Sequence, residues 1–125
     1  MASKEIFMTA GVCSLRDLHQ GLTTAQALVG LVDDVRLNLV KPRSDANAWC
    51  GLGKDGLYIV KKIKQLTGCK ISMEATTAKD TGWMLEVCDS LWLGAKQNPN
   101  NTKEIIEALR GVETLESFWV KNPIW

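Results

Sequence analysis

Five short stretches with strand character alternate with four stretches of helical spacing along these 125 residues, and that order leaves few folds open. Strands separated by a helix pair as parallel neighbours, because a parallel connection must travel back along the sheet before the next strand can begin. The strands read as Glu5 to Cys13, the Val35 stretch ended by Pro42, Lys70 to Thr76, Ser90 to Ala95 and Ser117 to Lys121. Between them the spacing predicts Leu15 to Val32, as one helix or as two broken at Gly21, with Ser14 as a candidate cap. It also predicts helices over Gly56 to Leu66, with Leu57, Val60, Ile63 and Lys64 on one side, over Thr77 to Val87, with Trp83, Met84 and Val87 inward, and over Thr102 to Leu109. Asp45 to Asp55, with Gly51 and Gly53, is the longest loop, and Asn98 to Asn101 has the composition of a turn.

Parallel sheets gather their sites at the carboxyl ends of the strands, since those ends and the loops that follow share one side. Here the ends carry Cys13; Lys41 with Arg43 and Ser44; Glu74; Lys96 after Gly94-Ala95; and Lys121. Counting back by twos puts Thr9, Gly11, Arg36, Asn38, Ser72, Trp92 and Trp119 on the same face as those residues, and mostly Ile, Leu, Met, Phe and Val on the other. The second face packs the helices. The first is polar, small or aromatic, as expected of a barrel lumen opening into a site. Several cations and one carboxylate converging from separate strands suit a small, multiply anionic ligand.

Composition narrows the field further. A net charge of +1 gives no global attraction to nucleic acid or membrane, and aromatics do not interleave with a basic run as in single-strand binders. Cys13, Cys50, Cys69 and Cys88 are widely spaced, so reduced thiols and a cytoplasmic location are expected. No apolar segment is long enough to span a bilayer. His19 reads as polar surface.

AGVCS at 10–14, RLNLVKPRS at 36–44, GLGKDGL at 51–57, MEATT at 73–77, LWLGAK at 91–96 and VKNPI at 120–124 occur in the order and spacing of the 3-deoxy-7-phosphoheptulonate (DAHP) synthases, which this chain resembles. Those are metal-dependent transferases of the shikimate pathway of aromatic amino-acid biosynthesis, built on a (β/α)8 TIM barrel. They condense phosphoenolpyruvate with erythrose 4-phosphate. The resemblance implies that Cys13 is a metal ligand, that Arg36, Lys41 and Lys121 surround phosphoenolpyruvate, the two lysines as catalytic groups, and that Arg43 and Ser44 meet the sugar phosphate. It sets Glu74 near the same site and Lys96 at a phosphate position. The implied cofactor is a divalent metal, manganese or similar.

Three departures from the family pattern bear on activity. Val12 replaces the proline of Gly-Pro-Cys-Ser, Lys96 stands where the family has a bidentate arginine, and the sequence ends after the fifth predicted strand, whereas a full barrel takes about 250 residues. The expectation is therefore one partial (β/α)8 barrel domain over residues 1–125, with five parallel strands in sequential order and helices on one face. Its function is DAHP synthase-like condensation, or the phosphoenolpyruvate-binding half of such a site. The alternatives are a non-catalytic phosphate-binding or assembly module and an inactive fragment. With strands one and five as open edges and no cover expected over Trp92 and Trp119, a homo-oligomer or a complementing chain is the expected assembly.

Overall fold

The computed structural model describes residues 6–41, 45–94 and 99–121. Among them Thr9–Val12 (β1), Asp34–Leu37 (β2), Ile71–Glu74 (β3), Ser90–Leu93 (β4) and Ser117–Val120 (β5) form one parallel sheet in sequential order. The helices are Leu18–Leu28 (α1), Leu57–Thr67 (α2), Ala78–Met84 (α3) and Pro99–Leu109 (α4), and a 3-10 turn at Gly53–Gly56 leads into α2. This is the expected partial barrel. None of the helices in the described residues is long and apolar enough to cross a membrane.

Alternation sets the two faces. Val35, Leu37 and Leu39, Ile71 and Met73, and Leu91 are buried with Ala25 of α1, Leu57, Val60 and Ile63 of α2, and Trp83 and Met84 of α3. A second cluster joins Ala75 and Leu93 to Ile105 of α4. On the opposite face Ser72 Oγ donates to Asp34 Oδ1 at 2.8 Å and lies 3.3 Å from Thr9 Oγ1, while the Ser90 and Ser117 hydroxyls meet at 2.7 Å. These residues lie on the face that counting by twos assigns to the lumen.

The boundaries differ from the sequence reading in ways that tertiary contacts explain. Ser14 does not cap α1; Leu15 is drawn into the core, its N–H donating to the Asn38 carbonyl at 2.8 Å, so the helix starts three residues later on Asp17. Gly21 does not break it. A Cβ there would sit 2.5 Å from Ile63 Cδ1 and 2.6 Å from Leu15 Cδ1, so the glycine is the place where α1 closes on α2. Pro99 to Asn101 are helical where a turn was expected, because proline's fixed φ suits a first helical turn.

The lumen is also less open than the sheet order suggests. Trp92 is only 7% exposed, and Phe7, two residues before β1, meets Trp119 of β5 edge-on with ring centroids 5.5 Å apart. A coiled parallel sheet turns its inward side chains toward a common axis, so β1 and β5 reach one another across it and the chain covers Trp92 itself. None of the four cysteines is in a disulfide, and burial pushes the Cys88 thiol up.

Candidate anion site

Strand ends β1, β2, β3 and β5 bring Cys13, Arg36, Lys41, Glu74 and Lys121 together. Arg36 projects from β2 into the lumen and its Nε donates to the Val12 carbonyl at 3.2 Å. Lys41 lies four residues past β2, on backbone that is clamped at both sides. Its N–H donates to the Cys50 carbonyl at 2.8 Å, and the Gly53 N–H donates to the Leu39 carbonyl at 2.7 Å. Gly51 permits that return: its φ is +103°, and a Cβ would stand 2.2 Å from the Leu39 carbonyl oxygen. From this fixed position the Lys41 ammonium donates to Cys13 Sγ.

Asn38 joins three strand ends and had no role in the sequence reading beyond its lumen parity. It is 3% exposed; Nδ2 donates to the Cys13 carbonyl at 3.2 Å and Oδ1 accepts from the Glu74 N–H at 2.9 Å. Both ends of the amide are thereby satisfied, which a buried polar side chain requires. The only advance sign was an asparagine on the lumen side of a strand whose other face is Val35, Leu37 and Leu39.

Glu74 sits at the centre of the charges. Its carboxylate occupies space that Gly94 leaves open, since a Cβ at Gly94 would be 2.1 Å from Oε1. Burial raises the Glu74 carboxyl above its ordinary value, and Lys121, Arg36 and Lys41, in that order, pull it back. Three cations thus act on one half-buried carboxylate, leaving an excess of positive charge at the mouth. Below the mouth, Thr9, Arg36, Trp92, Trp119 and Lys121 line a cavity of about 100 Å³. Arg43, Ser44 and Lys96 lie outside the described residues.

A sequence model of the DAHP synthetase I family matches residues 2–108. The chain belongs to that family. A solved structure of phospho-2-dehydro-3-deoxyheptonate aldolase (DAHP synthase) from Thermotoga maritima is 25% identical and superposes with a TM-score of 0.77, over 94% of this chain and 34% of that one. The chain spans about a third of the length of that DAHP synthase. No curated protein sequence matches.

The resemblance names Cys13 as a metal ligand, and its surroundings test that expectation. Lys41 places an ammonium on the Cys13 sulfur, and among the described residues no three His, Cys, Asp or Glu side chains stand close enough to hold an ion. A divalent cation draws affinity and geometry from several ligands together, so these residues do not make a metal site on their own.

Proposed function

We propose that this DAHP synthetase-family chain carries the phosphoenolpyruvate-binding half of a DAHP synthase-type site. The observation that supports the reading is the charge arithmetic at the strand ends: Arg36, Lys41 and Lys121 act on one carboxylate, Glu74. Cations from separate strands are costly to hold together unless an anion enters among them. A ligand with a carboxylate and a phosphate meets a guanidinium, which grips two oxygens at once, and two ammonium groups, which donate as point charges.

In the condensation itself, C3 of phosphoenolpyruvate attacks the aldehyde carbon of erythrose 4-phosphate, whose oxygen takes a proton to become a hydroxyl, while water adds at C2 of the enol phosphate and inorganic phosphate leaves. The lysines of this half orient the enol phosphate and donate to the oxygens where negative charge develops. Arg43, Ser44 and Lys96 belong to this proposal as the residues meeting phosphate on the aldose side. So do the divalent metal, with Cys13 as one ligand among others from outside the described residues, and a cytoplasmic location. The open β1 and β5 edges are where a second copy or a complementing chain would pair. Sedimentation at micromolar concentration tests the second copy, and a compact monomer mass at every concentration excludes it.

The Lys41–Cys13 contact favours one further reading, a binding module without turnover, because the thiol is engaged by a cation. Calorimetric titration at low salt tests the shared claim. Phosphoenolpyruvate should bind saturably, and Lys41→Ala and Lys121→Ala should each weaken it about ten- to a hundredfold, since each removes a charge-assisted hydrogen bond worth about 1.5–3 kcal/mol. Equal affinity in all three proteins would refute both readings.

A further inference from the structure

Lys121 follows the end of β5 with two partners in reach and settles on the one that does not neutralise it. Its Nζ lies 5.4 Å from the centre of the Trp92 ring, within range of cation–π attraction. Glu74 is near enough that Lys121 is the strongest electrostatic influence favouring its charged form. Yet the described salt bridges, Lys61 with Glu86, Lys64 with Asp89 and Lys70 with Glu116, do not include Lys121 with Glu74.

Trp92 can act as a fixed seat because it is nearly buried between two neighbouring strands. In register it lies between Glu74 of β3 and Trp119 of β5. It is nearly buried, and Trp119 beside it is braced by Phe7. Trp92 and Lys121 both line the lumen cavity of about 100 Å³, together with Arg36.

The two partners would leave Lys121 in different states. A carboxylate takes directed N–H donors and cancels the charge. A ring face attracts the ammonium through its quadrupole and does not cancel it, so the charge stays available to a stronger acceptor. We infer that Trp92 is a positioning residue for the anion site: its ring holds Lys121 away from Glu74 and keeps the ammonium ready for an incoming phosphate or carboxylate. The inference rests on the anion-binding reading for the ligand's identity. The placement of Lys121 can be measured without any ligand.

Nuclear magnetic resonance on the full chain tests the seat directly. In the wild type the Lys121 ε-methylene protons should be shifted upfield by the ring current, and Lys121 should be identified by the loss of that signal in Lys121→Met. Trp92→Phe keeps a ring face and should keep the shift. Trp92→Leu removes it and lets Lys121 fall onto Glu74, so the Glu74 carboxyl should titrate at lower pH than in the wild type. Inorganic phosphate should bind several-fold more weakly to Trp92→Leu and nearly as well to Trp92→Phe. Adding Glu74→Gln should recover more affinity in the Trp92→Leu background than in the wild type, a coupling that loss of packing alone would not produce. An unshifted Lys121 methylene in the wild type overturns the inference. So does equal Glu74 titration and phosphate affinity in wild type and Trp92→Leu. If Trp92→Leu does not fold, the wild-type shift and its retention in Trp92→Phe decide the matter. If the shift and the Glu74 difference are present but phosphate does not bind, the anion-binding reading fails and the Trp92 seat for Lys121 stands.

Discussion

Asp34 is a carboxyl placed where water hardly reaches, at 2% exposure in the floor of the lumen. Burial raises its pKa above the ordinary 3.8; the Thr9 and Ser72 hydroxyls work against that, while Asp33 and Asp89 add to it. Among the described residues, Oδ2 has no hydrogen-bond partner. The folded chain therefore holds this proton more tightly than the unfolded chain, and linkage gives the sign. Asp34 costs nothing below the unfolded value, and stability falls as pH rises through the folded one. Asp34→Asn should leave stability unchanged near pH 3 and raise it at neutral pH, because the amide removes the buried charge at nearly constant volume. Urea denaturation of both proteins across that range checks this, and parallel stability curves would show that the carboxylate finds a partner. Glu74 is raised by burial too, but the charges acting on it are the cations Lys121, Arg36 and Lys41, which pull it back, whereas those acting on Asp34 are the carboxylates Asp33 and Asp89.

Among the helices, α3 depends most on its cap. It spans only Ala78–Met84, too short to form without tertiary support. Thr77 supplies the start: its backbone is extended and its Oγ1 accepts from the Asp80 N–H at 3.0 Å. Asp80 then anchors Trp83, whose Nε1 donates to Oδ1 at 3.0 Å. These residues follow Glu74 directly, so the cap also fixes the path by which the chain leaves the site. Thr77→Ala should cost about 1 kcal/mol and Thr77→Ser much less, as expected for loss and retention of a cap hydroxyl. Thermal denaturation measures both, and equal loss in the two variants would assign the effect to the threonine methyl. The spacing in sequence starts this helix at Thr77 itself, one residue before the structure does. The start of α1 was not legible, because Ser14 and Asp17 are equally good caps locally and the Leu15–Asn38 bond across strands chose between them.

Across the whole molecule, the curl of the sheet is what makes a site from separate strand ends. The Phe7–Trp119 contact ties the two edges of the sheet across the lumen. Phe7 is half exposed, so its removal tests the tie more than the core. Phe7→Ala should lower stability by about 1 kcal/mol, the size of an aromatic pair beyond its burial. It should also increase quenching of tryptophan fluorescence by iodide as Trp119 loses its cover. Unchanged stability and quenching would mean that β5 is held by β4 alone.

The order of elements, the parallel sheet and the assignment of residues to its two faces all follow from local periodicity, because a period of two or 3.6 is written into neighbouring residues. Family membership was legible for a related reason: the motifs that carry the resemblance, such as AGVCS at 10–14 and LWLGAK at 91–96, are runs of adjacent residues that occur in order along the chain. Closure of the lumen over Trp92, the Asn38 bridge between three loops, the contact of Lys41 with Cys13 and the choice of Trp92 over Glu74 by Lys121 were not legible. Each joins residues about 25 or more positions apart, and whether such groups meet depends on register, twist and the coiling of five strands, which no stretch of sequence specifies alone.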